Sequence, residues 1–113
     1  MAVYVVNLVI DQGADFSQVF NLENDATASA LDLTGYTGKS QMRKHASSTK
    51  KHDFTISFPD RTQGVVQVSM TDNTTKTIKP GRYIYDLILT DSGGSVERIV
   101  EGSALVREGA TKV

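Results

Sequence analysis

The chain has 113 residues, of which 39% are hydrophobic and 22% are charged, and its formal net charge is -1. This length fits one domain, residues 1–113, and the near-neutral charge argues against bulk nucleic acid or an anionic membrane as the main partner. The sequence contains no cysteine, which excludes a disulfide scaffold, a thiolate metal site and a cysteine nucleophile.

The N-terminal segment predicts a first strand. Its inward face carries the apolar side chains that alternate at period two, namely Tyr4, Val6, Leu8 and Ile10. The opposite face carries Val3, Val5 and Val9, which is unusually apolar for a side that meets water. The run is too short to cross a bilayer, and no basic residue precedes it. We therefore expect neither a signal peptide nor membrane insertion.

The middle of the chain predicts further short strands separated by polar turns. Alternation of apolar and polar side chains marks the segments 16–22, 36–44, 54–58 and 65–70. The polar stretch 45–52 is typical of a hairpin loop. The threonine-rich stretch 71–77 is typical of a crossing between two sheets and favours a short helical turn.

The segment from Pro80 to Leu89 carries the strongest architectural signal. A Pro80-Gly81 corner leads into a strand with Tyr83 and Tyr85 on one face. In immunoglobulin-like sandwiches, a tyrosine at the start of strand F hydrogen-bonds back to the backbone just upstream. Tyr83 has that place, and Tyr85 stands where antibody domains have a cysteine. The other face of this strand carries Ile84 and Ile88.

The last hairpin turns at Asp91–Ser95 and returns through Val96 to Val106, and Gly102 within it suggests a bulge or a kink. With this hairpin the sequence predicts seven to eight short strands and no sustained helix. The predicted fold is all-β, an immunoglobulin-like antiparallel β-sandwich that fills the whole chain as one domain.

The order of these signals resembles the small immunoglobulin-like structural proteins of tailed phages, including the N-terminal domains of baseplate upper proteins and tail-associated virion proteins. The segments that carry it are 31–36, 41–44, 64–66, 74–75, 80–87, 94–102 and 106–111. The resemblance implies a non-enzymatic virion protein that is made in the host cytoplasm. Its expected partners are other virion proteins and copies of itself.

Three roles are compatible with the resemblance and the residues. Because nothing follows Val113 to supply a receptor-binding portion, we expect a tail or baseplate adaptor or accessory subunit. A capsid decoration protein of the same fold is an alternative. A carbohydrate- or surface-binding module is another, in which Tyr36 would be the one plausible aromatic platform.

A basic loop is the first candidate site, and it consists of Arg43, Lys44, His45, Lys50, Lys51 and His52. One interpretation is a grip on phosphates of nucleic acid or lipopolysaccharide. The other is a solvated hairpin whose charges face water. The surrounding lysines disfavour a metal at the histidines. No nucleophile elbow or phosphate loop is present, so we expect no enzymatic activity, cofactor, metal or small-molecule substrate.

The second candidate site is an interface formed by Val3, Val5, Val9, Ile84 and Ile88. Two-faced hydrophobicity indicates burial on both sides or an exposed contact patch. In the alternatives, the N-terminal strand curls over Ile84 and Ile88, or pairs with the open sheet edge of a neighbour. Asp86, on the same face, is expected to pair with Arg98 across the hairpin or with a neighbouring subunit.

Overall fold

The computed structural model describes residues 4–24, 27 and 29–111. Its strands are β1 (Tyr4–Val5), β2 (Leu8–Asp11), β3 (Phe16–Asn21), β4 (Thr37–Arg43), β5 (His52–Asp53), β6 (Thr55–Asp60), β7 (Val65–Met70), β8 (Gly81–Thr90) and β9 (Val96–Arg107). A 3-10 turn, Arg61–Gln63, follows β6, and a single helical turn, α1 (Asp72–Thr75), follows β7.

The strands form two sheets, which confirms the predicted all-β sandwich. The larger sheet has the order β1-β9-β8-β4-β5, with β2 also paired to β9, and the smaller sheet has the order β3-β7-β6. In immunoglobulin constant-type domains the first strand lies in the sheet opposite the last strand, whereas here β1 and β2 pair with β9 in the larger sheet. The sheets are antiparallel except at one edge, where β1 and β2 pair in parallel with β9. Parallel pairing is possible there because the whole domain lies between these strands along the chain.

The core lies between the two sheets and is built by the inward side chains of alternating strands. On β8, the residues Tyr83, Tyr85, Leu87 and Leu89 are all buried. They meet Leu8 and Ile10 from β2, Val66 and Val68 from β7, and Met42 from β4 in one contiguous cluster. The pattern of period two read from the sequence therefore gives the inward face of these strands.

The hairpin of β8 and β9 contains a bulge, and it lies at Ile99. Leu87 faces Val100 while Ile88 faces Arg98, so Ile99 is the extra residue, and both Ile99 and Val100 are buried. The sequence predicted an irregularity at Gly102, and that position was wrong. A bulge lets two consecutive side chains point inward, and it does not require a glycine.

Gly102 instead allows the N-terminal strand to approach β9 closely. A Cβ placed on Gly102 would lie 2.2 Å from the carbonyl oxygen of Val6. Around this point the Val6 amide donates to the Glu101 carbonyl at 3.0 Å, and the Tyr85 hydroxyl donates to the Val6 carbonyl at 2.6 Å. The Asn7 side chain accepts a bond from the Ser103 amide at 3.0 Å. These contacts bridge the gap between β1 and β2.

We expect Gly102→Ala to destabilise the domain by about 2 kcal/mol or more, because the new methyl group would force the Val6 carbonyl away from β9. Chemical denaturation measures the free energy of unfolding. Gly109→Ala is the control, since a Cβ there meets other atoms only at 3.7 Å or beyond. Equal losses for the two variants would contradict the close approach at Gly102.

We expect Tyr85→Phe to cost about 1–2 kcal/mol, because the Val6 carbonyl loses its hydroxyl partner in a largely buried place. Hydrogen exchange should show the loss first in the amides of β1 and β2. Tyr36→Phe is the matched control, since within the described residues no hydrogen bond is recorded for the Tyr36 hydroxyl. If the β2 amides keep their wild-type protection in Tyr85→Phe, the bond does not anchor this strand.

Candidate functional site

The predicted corner lies at the start of β8, at one end of the sandwich. The Tyr83 hydroxyl donates to the carbonyl of Lys79, four residues upstream, at 2.6 Å. Pro80 and Gly81 form the bend between them, and Gly81 has a φ of 147°. A Cβ on Gly81 would lie 2.5 Å from the Lys44 ammonium nitrogen, so this glycine makes room for a side chain from β4's end.

The structure divides the predicted basic loop into two groups. Arg43 donates to the Ser48 carbonyl and, at 3.0 Å, to the Gln41 side chain, while Lys51 forms an ion pair with Asp53 at 2.8 Å. These two cations hold the loop's own structure. His45 is exposed, and its backbone amide and carbonyl bond to Ser48.

The other members of the loop converge on a cavity of about 170 Å³, which we call the corner cavity. Its lining consists of Lys44, Ser48, Lys50, His52, Lys79 and Tyr83. Sequence reasoning missed Lys79, which lies far from the basic loop along the chain. The signal that could have found it is the tyrosine corner itself, because that bond holds residue 79 beside the tyrosine.

The corner cavity is basic and has aromatic walls. The Lys44 ammonium nitrogen lies 4.5 Å from the centroid of the Tyr83 ring, a cation–π arrangement. The His52 ring stands edge-on to Tyr83, with 5.8 Å between the ring centroids. In the part of the chain that the structure describes, no carboxylate forms an ion pair with Lys44, Lys50 or Lys79.

Burial changes the acidity of both rings. Burial lowers the pKa of the His52 imidazole below 6.5, the neighbouring Lys50 lowers it further, and Asp53 opposes them. Burial also raises the pKa of the Tyr83 phenol above 10.0. At neutral pH the tyrosine is therefore a hydroxyl donor, and His52 is an uncharged ring facing several ammonium groups.

The candidate interface lies on the outward face of the larger sheet. Val5 is 73% exposed, Val9 49% and Ile84 45%, whereas Ile88 is half-buried. Val3 lies outside the described residues. The N-terminal strand does not curl over Ile84 and Ile88, because β1 and β2 extend the sheet edgewise by pairing with β9.

Charged residues accompany these aliphatic side chains. Arg98 contacts Asp86 at 3.4 Å within the hairpin, and Glu101 is the register partner of Val5. Ile84 and Ile88 border a shallow depression of about 260 Å³ that Asp86 and Arg98 also line. The outward face is thus a mixture of aliphatic and charged groups.

Two other features bear on the alternatives. Tyr36 is half-buried and packs against the core, so only part of its surface faces solvent. Its backbone carbonyl accepts a bond from Arg61 at 2.7 Å. Among the described residues, no group of three or more histidine, aspartate or glutamate side chains is arranged to hold a metal ion. The same part of the chain contains no helix with the length and apolarity needed to cross a membrane.

No protein family and no curated protein matches this chain in comparisons of sequence. Among solved structures, an internalin-like protein of Listeria monocytogenes is similar at 13% identity and a TM-score of 0.48. The match covers 93% of this chain and 28% of that protein, so this chain spans under a third of the neighbour's length.

We expect the stability of the domain to decrease as the pH falls below about 6.5, partly because of His52. The pKa of His52 is lower in the folded protein than in the unfolded chain, so the unfolded chain gains a proton first as the pH falls. The free energy of unfolding therefore decreases as the pH falls from 6.5 to the folded pKa of His52. The groups that face the ring are Lys44, Lys50, Asp53, Lys79 and Tyr83. Because His52 is partly exposed, the loss should stay below about 1 kcal/mol.

Denaturation of wild type and His52→Gln between pH 8 and pH 5 measures this effect. The variant should show a shallower decline than wild type. If His52→Gln declines as steeply as wild type, His52 does not contribute to the pH dependence.

Proposed function

We propose that this chain is a non-enzymatic structural subunit that assembles with other proteins through the outward face of its larger sheet. The observation that carries the proposal is the exposure of Val5, Val9 and Ile84 on one face of a rigid sheet. We further propose a tailed-phage virion as its setting, as a tail or baseplate adaptor or accessory subunit. That setting is supported by the resemblance of segments 31–36, 41–44, 80–87 and 94–102.

The aliphatic side chains of this face form a strip across three neighbouring strands. Val9 of β2 is the register partner of Leu105 of β9, so the two side chains lie side by side. Ile84 of β8 is opposite Ser103, two residues from Leu105 on the same face. Val5 lies farther along the N-terminal strand, also pointing outward. Burying such a strip against a partner is favourable by about 25 cal/mol for each Å² of apolar surface.

The strip is supported by a backbone that does not need to rearrange. All three strands are joined by ladder hydrogen bonds, and the inward side chains beside the strip belong to the buried core. Association therefore costs little ordering of the backbone, which favours affinity. The pair of Asp86 and Arg98, together with Glu101, supplies the charges that would fix the register of a partner.

We expect Val9→Asp and Ile84→Asp each to weaken self-association or partner binding about tenfold or more, because a charge would be buried against an apolar surface. Size-exclusion chromatography with light scattering over a range of concentrations measures the self-association. Wild type should form a discrete oligomer, or acquire one with the partner present. Val19→Asp is the control, since Val19 is 42% exposed on the smaller sheet.

Equal behaviour of all three variants would contradict an interface on the larger sheet. The virion setting has a separate test, which is the location of the protein in fractionated particles. Recovery with tails or baseplates agrees with the proposal. Recovery with heads would assign the chain to capsid decoration and overturn the tail position, while leaving the interface proposal intact.

A further inference from the structure

We propose that the corner cavity binds a phosphate group, either as free phosphate or as the monoester of a small sugar. The inference is independent of the interface on the larger sheet, because it uses different residues at the end of the sandwich. It rests on the convergence of two lysines of the basic loop with Lys79 from the corner, on the size and walls of the cavity, and on the way the corner fixes these groups.

The first argument is charge that the fold brings together and that, within the described residues, no carboxylate pairs with. Lys44 follows β4, Lys50 precedes β5 and Lys79 precedes β8, yet all three line one cavity. Two other cations of the loop, Arg43 and Lys51, bond to groups of the loop itself. All three are exposed, so water screens their mutual repulsion, and together they give the cavity a positive potential. The arrangement thus points to an anionic ligand.

The second argument is the match to phosphate rather than to a carboxylate or a nucleic acid strand. Lysines act as point charges and suit a tetrahedral dianion, whereas planar carboxylates are best held by an arginine fork. The cavity of about 170 Å³ has room for one such group and a small body. A nucleic acid strand needs a basic groove and open aromatic faces, but the Tyr83 ring is buried under Lys44.

The third argument is that the site is held in place before a ligand arrives. The Tyr83 hydroxyl fixes the Lys79 carbonyl, and the Gln12 side chain donates to the Ile78 carbonyl at 3.0 Å. Gly81 leaves space that the Lys44 ammonium group occupies. Ser48 adds a hydroxyl to the rim, and His52 is an uncharged ring that a bound dianion would help to protonate. Positions fixed in this way reduce the cost of binding.

The experiment titrates the full chain with sodium phosphate and, separately, with glucose 6-phosphate, followed by NMR at constant ionic strength. Saturable shifts should be confined to residues around the corner cavity. Lys79→Gln and Lys44→Gln should each weaken binding about tenfold, since each removes a unit charge near the anion. Lys79→Gln keeps the carbonyl that Tyr83 contacts, so it should melt at the wild-type temperature.

Lys51→Gln is the matched control, because it removes the same charge from the same loop outside the cavity, and it should weaken binding less than about twofold. The titration of the His52 ring gives a second readout. Phosphate should raise the pH at which His52 gains its proton, because a dianion favours the charged ring. The ring resonances of His45, which lie outside the cavity, should move far less.

The outcomes separate cleanly. Tighter binding of glucose 6-phosphate assigns the site to a phosphorylated sugar, and equal binding assigns it to the phosphate group alone, and both support a phosphate site. Shifts that do not saturate, or an equal loss in Lys51→Gln and Lys79→Gln, would reject a specific site. An oligothymidylate without terminal phosphates that binds tighter than either probe through the same lysines would overturn the proposal in favour of the phosphodiester backbone of a nucleic acid.

Discussion

The hydrogen bond from the Tyr85 hydroxyl to the Val6 carbonyl is the contact on which the larger sheet's edge depends. It runs from the central strand β8 to Val6, which lies between β1 and β2, where the ladder of hydrogen bonds with β9 is interrupted. Burial raises the pKa of Tyr85 to about 12, so the hydroxyl stays a donor at any physiological pH. With Gly102 free of a side chain, the N-terminal strand lies flat against β9, and Val5 and Val9 therefore point away from the core.

Tyr83 anchors the end of the sandwich and Tyr85 anchors its edge, each by donating its hydroxyl to a backbone carbonyl. Because successive side chains of a strand alternate, two residues of spacing put both rings on the inward face of β8. Their hydroxyls then diverge, one to Lys79 and the other to Val6. A single segment thus fixes both the corner cavity and the outward face, although no residue is shared between the two surfaces. Loss of either hydroxyl should therefore increase local opening of the adjacent backbone at a lower free energy than unfolding of the whole domain.

The sequence was sufficient for features whose cause is local. Alternation in β8 gives its inward face, and the Pro80-Gly81-x-Tyr83 order predicts the corner bond that the structure contains. It was insufficient where the cause is a contact distant along the chain. The parallel pairing of β1 with β9 joins the two ends of the chain. The sequence alone suggests a kink at Gly102, because the close approach of Val6 that requires this glycine is visible only in the structure. The bulge at Ile99 follows from two apolar neighbours that both reach the core, which a strict period of two does not anticipate.

The same distinction explains why the composition conceals the basic site. A net charge of -1 arises from 12 lysines and arginines against 13 aspartates and glutamates, and such a balance says nothing of their positions. On the outward face and at the loop, opposite charges meet, as Arg98 meets Asp86 and Lys51 meets Asp53. At the corner, Lys44, Lys50 and Lys79 line one cavity together with two aromatic rings and Ser48, and no carboxylate of the described residues forms an ion pair with them. Because Arg98 and Lys51 are paired with carboxylates and, within the described residues, the corner lysines are not, a nearly neutral protein carries a local positive potential at the corner cavity. Salt screens this potential over a short distance, so it acts on a ligand that enters the cavity and not on a distant polyanion.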